Sequence, residues 1–120
     1  MNQPNETFVP LIEVDFSSQV LAADGPVLVY FWAQWCLPCR LVDSLLSRLP
    51  LDALTDTKTF RMNVDSTPNL VQRYQLKTIP CFALFSKGNL LAMKEGVCSR
   101  QQLIDLLDIG KADSSMHSKE

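Results

Sequence analysis

The sequence predicts an α/β domain in which a central mixed β-sheet is covered by helices on both faces. Three observations predict it. Residues 27–32 are apolar throughout, as a central strand buried on both sides must be. Segments of strand character alternate with segments whose apolar residues recur every three or four positions. The last two strand segments flank Lys87-Gly88, a hairpin signal that ends the alternation.

Taken in order, residues 1–7 read as a flexible leader, and residues 8–12 as a short strand that Pro10 restricts to a sheet edge. Asp15 can cap a helix through Ala23 that buries Phe16, Val20 and Leu21, and Asp24-Gly25-Pro26 stops it. After the central strand, Cys39, Val42, Leu45, Leu46 and Leu49 mark a helix that Pro50 ends. A loop over 51–58 leads to a strand at 59–64. Thr67-Pro68 then opens a short helix through Tyr74, with Thr67 as its cap. Residues 81–86 and 89–95 form the hairpin, in which Cys81 should face Lys94. Ser99-x-x-Gln102 is a capping box for a last helix carrying Leu103, Ile104, Leu106 and Leu107. Gly110 should end it, leaving 110–120 as a disordered polar tail after a domain of residues 8–109.

A chain of 120 residues, 47% hydrophobic and 20% charged, has the composition of one globular domain. A net charge of −2 with no basic cluster argues against a nucleic-acid partner. No apolar run approaches the roughly eighteen residues of a membrane span. The first residues lack the basic start and apolar core of a signal peptide, so a cytoplasmic protein is expected. In that compartment four cysteines read as catalytic or incidental thiols rather than as a disulfide framework.

The chemistry gathers at Cys36-Leu37-Pro38-Cys39, which opens the helix after the central strand. Free backbone N–H groups and the positive end of the helix dipole favour an anion there, and a thiolate is one. Cys36 should be acidified and nucleophilic, and Cys39, one turn deeper, is placed to attack a mixed disulfide on Cys36. Arg40 adds a positive charge. A zinc half-site is the competing reading, but Cys81, Cys98 and His117 do not form a second ligand pair, so no metal is expected. Cys81 and Cys98 read as small buried hydrophobes or as secondary regulatory or metal-sharing thiols near Cys36.

Phe31-Trp32-Ala33-x-Trp35-Cys36-x-Pro38-Cys39-Arg40 resembles the active-site signature of the thioredoxin family. The likeness extends to Asn63-Val64-Asp65, Tyr74, Ile79-Pro80, Phe85-x-x-Gly88 and Gly96. It implies the thioredoxin-like fold and a protein-disulfide oxidoreductase that needs no cofactor beyond the Cys36–Cys39 couple. It further implies a monomer that takes electrons from an upstream reductase and passes them to disulfide-containing proteins. Trp35, Leu37, Pro38, Ile79, Pro80 and Gly96 would line the substrate groove, with Pro80 in the cis form that faces the disulfide.

Four positions depart from the family pattern: Tyr30, Arg61, Leu37 and Ser44, the last standing where a proline commonly kinks the active-site helix, which should run straighter here. Tyr30 stands where a buried Asp usually relays a proton to or from the deeper cysteine, and a phenol of pKa about 10 is a poor base. Tyr30 could bond to Arg61, which replaces a common Lys, or to a water leading to Cys39. It could equally be apolar filler whose hydroxyl is satisfied by backbone. Leu37 replaces the usual glycine and puts the redox potential in question. The potential therefore separates two readings, a reductase and an oxidase or isomerase of higher potential. A non-catalytic binding module is the third.

Overall fold

The computed structural model describes residues 8–118. Five strands form one sheet: β1 (Val9–Pro10), β2 (Pro26–Trp32), β3 (Lys58–Asn63), β4 (Cys81–Ser86) and β5 (Asn89–Glu95). Their spatial order is β1-β3-β2-β4-β5, so β2 lies at the centre. It runs parallel to β3, with Tyr30 beside Arg61, and antiparallel to β4, with Tyr30 beside Phe82. Three α-helices complete the fold: α1 (Leu37–Leu46), α2 (Pro68–Arg73) and α3 (Arg100–Ser118).

The alternation of side chains along β2 explains why it is apolar throughout. Leu28 and Tyr30 point to one face, where Phe82, Leu84, Val42 and Leu46 of α1 and Leu103 and Leu107 of α3 close over them. Val27, Val29 and Phe31 point to the other, against Phe16, Val20, Phe85 and Leu70 of α2. Each such side chain contributes about 1.5–3 kcal/mol by leaving water. Helices on both faces of a mixed sheet are the arrangement expected from the sequence.

Several local expectations change. The helix expected from Asp15 is a 3-10 turn at Glu13–Asp15 followed by one wide turn at Ser17–Leu21, although Phe16 and Val20 are buried as foreseen. The loop after Pro50 contains a 3-10 turn, Leu51–Leu54. Thr67 does not cap α2 with its side chain, and its hydroxyl donates to the Asn63 carbonyl at 3.1 Å. The cap comes from far away in sequence, where a Glu13 carboxylate oxygen accepts the Leu70 N–H at 2.8 Å. A carboxylate there meets both a free N–H and the positive end of the helix.

In the hairpin, Lys87 and Gly88 both take positive φ, as a two-residue turn requires. A bulge between Leu84 and Phe85 then shifts the register by one, so Cys81 faces Glu95 rather than Lys94.

Gly110 does not end the last helix. The capping box forms, with the Ser99 Oγ accepting the Gln102 N–H and the Gln102 Oε1 accepting the Ser99 N–H, and α3 runs from there to Ser118. Gly110 is a packing residue: a Cβ on it would stand 2.9 Å from the Pro26 Cβ and 3.2 Å from a Leu84 methyl. Residues 111–118 thus continue the helix instead of forming a disordered tail. The leader at 1–7 and the last two residues lie outside the described residues.

Candidate active site

Strand β2 delivers the chain to the site, and residues 33–35 turn it into α1. The Ala33 carbonyl accepts the Cys36 N–H at 3.2 Å, and Cys36 takes an extended conformation as the N-cap of the helix. Its Sγ accepts the Cys39 N–H at 3.2 Å, so a backbone donor points at this sulfur. Leu37 and Pro38 occupy the first two helical positions, where a proline's missing N–H costs nothing. Cys36 and Cys39 form a disulfide with their Cα atoms 5.3 Å apart. In this oxidised form the difference in depth expected between them is small, since Cys36 is 3% and Cys39 1% exposed. Ala33, Trp32, Val64 and Ile79 pack around the pair.

The rim is apolar and open: Trp35, Leu37 and Leu41 are each about two-thirds exposed or more. The Trp35 indole is held by its Nε1–H, which donates to the Asp65 carboxylate at 2.9 and 3.2 Å. Beside it a hollow of about 140 Å³ is lined by Trp35, Val64, Leu76 and Ile79 among others. The Ile79–Pro80 peptide bond is cis, and the Pro80 carbonyl accepts the Gly96 N–H at 2.7 Å. Gly96 has φ of +85°, and among the described residues no atom beyond its two chain neighbours lies within 4 Å of where a Cβ would stand. Its conformation therefore calls for glycine, and the space above it is open.

Beneath the site, the fully buried Tyr30 ring stacks on Phe82 with centroids 4.9 Å apart and meets Phe8 edge-on at 6.3 Å. Its hydroxyl turns to α1, lying 3.2 Å from the Cys39 carbonyl and 3.1 Å from Asp43 Oδ1. Tyr30 thus fills the core, as one reading of the sequence had it, and also joins β2 to the cysteine-bearing helix. Burial and the Asp43 charge hold its hydroxyl far above the usual phenol range, so it stays protonated. The Arg61 guanidinium lies over the Trp32 ring at 5.2 Å, and its charge acts on both Tyr30 and Asp43. Arg40 is exposed on the first turn of α1 and also acts on Asp43.

Two residues of this arrangement were not singled out from the sequence. Asp65 was seen only as part of a motif. Asp43 lies in the stripe formed by Cys39, Val42 and Leu46, and a charge within an apolar stripe was the available signal. Burial raises the Asp43 carboxyl above its ordinary value, opposed by the Tyr30 hydrogen bond and the two arginines.

Cys81 and Cys98 are free and buried. Burial, with Glu95 adding to it, pushes the Cys81 thiol up to about 12, and burial also raises Cys98 against the pull of Lys94. A thiol at such a value is ionised in only about one molecule in ten thousand at pH 8. Iodoacetamide applied to the reduced, native protein at pH 8 should therefore label Cys81 only after unfolding, as read by mass spectrometry. Labelling of native Cys81 at the rate of an unhindered thiol would contradict this assignment. Among the described residues no group of three or more His, Cys, Asp or Glu could hold a metal ion. No helix among them is long and apolar enough to cross a membrane.

A disulfide closed between a helix N-cap and the next turn, on an open α/β sheet, defines a thiol–disulfide oxidoreductase. The comparisons with known proteins agree. The family model described as thioredoxin matches residues 7–109. The chain is 36% identical over 104 residues to a thioredoxin of Pseudomonas aeruginosa, covering 87% of this chain and 96% of that protein. It is 37% identical over 93 residues to a thioredoxin of Acidithiobacillus ferridurans, covering 78% and 86%. To a thioredoxin of Rickettsia bellii it is 34% identical over 93 residues, covering 78% and 89%. The chain belongs to the thioredoxin family, and it is a dithiol–disulfide oxidoreductase of the thioredoxin type.

Proposed function

We propose that this protein reduces protein disulfides in the cytoplasm, drawing electrons from a separate thioredoxin-reductase-like enzyme and working as a monomer of catalytic unit 8–109. Cys36 attacks a substrate disulfide and forms a mixed disulfide. Cys39 then attacks the Cys36 sulfur, releases the reduced substrate and regenerates the Cys36–Cys39 disulfide. No cofactor beyond that couple takes part. The observation that carries this reading is the Cys39 N–H directed at the Cys36 sulfur on a helix N-terminus, because that donor stabilises a Cys36 thiolate.

The substrate lies across the rim as an extended segment. Trp35, Leu37 and Pro38 support it on one side, and Ile79, cis-Pro80 and Gly96 on the other. The open space at Gly96 and the hollow beside Trp35 support this placement. Equilibration of the couple with glutathione buffers tests the direction of exchange. A strongly reducing potential fits a reductase, and a value near the oxidising end would instead make the protein an oxidase or isomerase.

The role given to Leu37 has its own test. Its side chain is 71% exposed, so a substrate that covers part of it gains about 1 kcal/mol. Leu37→Ser should raise KM for a protein disulfide roughly fivefold while a small disulfide such as cystine is reduced as before. An unchanged KM for the protein substrate would remove Leu37 from the groove.

A further inference from the structure

Glu95 closes β5 immediately before Gly96, the residue whose N–H binds the cis-Pro80 carbonyl. Across the hairpin it stands opposite Cys81, which directly follows Pro80. The two side chains therefore share one face of the sheet. Electrostatics agree with that placement: burial first, and the Glu95 charge after it, raise the Cys81 thiol. Lys94 precedes Glu95, and alternation along the strand turns it to the opposite face. There burial raises the Cys98 thiol and the Lys94 charge opposes it, in the layer covered by α3. The sheet itself thus separates Glu95 from its neighbouring cation.

The Glu95 side chain is exposed, and no hydrogen bond or ion pair holds it among the described residues. Asp65, a second carboxylate on the rim, is engaged by the Trp35 indole. Lys77 lines the hollow beside Trp35, on the other side of cis-Pro80 in the chain. Glu95 is therefore placed to present its charge to whatever lies over the open space at Gly96. Resting on the groove given above to cis-Pro80 and Gly96, we propose that Glu95 determines specificity in disulfide exchange. It pairs with a lysine or arginine that flanks the attacked cysteine of the substrate protein.

A long cationic side chain can reach the carboxylate from either neighbour of that cysteine. A glutamate or aspartate in the same place is repelled, so selection draws on both attraction and repulsion. The pair is solvent-exposed, and each of the two effects is worth about threefold, not orders of magnitude. Discrimination of this size sorts competing substrates and leaves the chemistry at Cys36 and Cys39 as it is.

Two fluorogenic peptide disulfides, identical except for lysine or glutamate on both sides of the cysteine, test the proposal. Stopped-flow measures the second-order rate constant of each with the reduced protein. Each value is divided by that for dithiothreitol, which removes the peptides' own difference in reactivity. The unaltered protein should favour the lysine peptide about tenfold at low salt. Glu95→Gln should bring this ratio to about one, and Glu95→Lys should invert it. Glu95→Asp keeps the carboxylate and should retain most of the preference. Added salt should shrink the parent's ratio and leave that of Glu95→Gln in place. Because each ratio is taken within one variant, any loss of folded protein cancels. A ratio in Glu95→Gln equal to the parent's would assign the preference to the overall charge of −2 or to another residue, and overturns the proposal. So does a parent that treats the two peptides alike. Failure of the unaltered protein to reduce either peptide would overturn the disulfide-reducing reading itself, and this proposal with it.

Discussion

Cys36→Ser should reduce no protein disulfide above the uncatalysed background, and Cys39→Ser should react once and stop. A serine hydroxyl is not ionised near neutral pH and cannot form the sulfur–sulfur bond on which exchange depends. In Cys39→Ser the backbone N–H at position 39 still points at the Cys36 sulfur, so attack on substrate survives. The resolving thiol does not, and the substrate stays bound to Cys36. Insulin turbidity measures the turnover lost in both variants, and mass spectrometry under non-reducing conditions finds the adduct in Cys39→Ser alone. Turnover by Cys36→Ser, or an adduct on another cysteine, would falsify the assignment of the nucleophile.

The largest expected loss of stability follows from Tyr30→Ala. The ring is fully buried, stacked on Phe82 and edge-on to Phe8, and removing it should cost about 3–5 kcal/mol. That is a large share of the roughly 5–15 kcal/mol that holds a domain together. Tyr30→Phe keeps the ring and loses the bonds to Cys39 and Asp43, at about 1 kcal/mol. Urea midpoints for the two variants separate packing from hydrogen bonding. Similar losses in both would mean that the ring contributes little and that its place between Phe8 and Phe82 is wrong.

Much of this molecule was legible in its sequence because the signals were local. The apolar run before Cys36, the helical spacing after it and the Ser99–Gln102 box each lie within a few residues, and each formed. What could not be read depends on contacts across the fold. Glu13 caps a helix whose first residues lie more than fifty positions away, and Thr67 looked sufficient by itself. Gly110 resembles a stop signal until Pro26 and Leu84 are seen against it. The bulge in the hairpin moves Cys81 opposite Glu95, which turn chemistry alone does not foretell. Asp43 had a local signal, but its meaning came only with the Tyr30 hydroxyl beside it.

The two-sided burial of β2 leaves the strand without a hydropathic reason to prefer one alignment. Sliding it by one residue exchanges the side chains of its two faces, and apolar residues are acceptable on either. The Tyr30 hydroxyl breaks that degeneracy. In the observed alignment it reaches the Cys39 carbonyl and Asp43 on α1. One residue out of step, it would point into the opposite layer, among Phe16, Val20, Phe60 and Phe85, with its polar bonds to α1 lost. An orphaned buried hydroxyl costs about 1–3 kcal/mol. Tyr30 is therefore a registration mark for the sheet, and the alignment it selects brings the end of β2 to the cysteine pair.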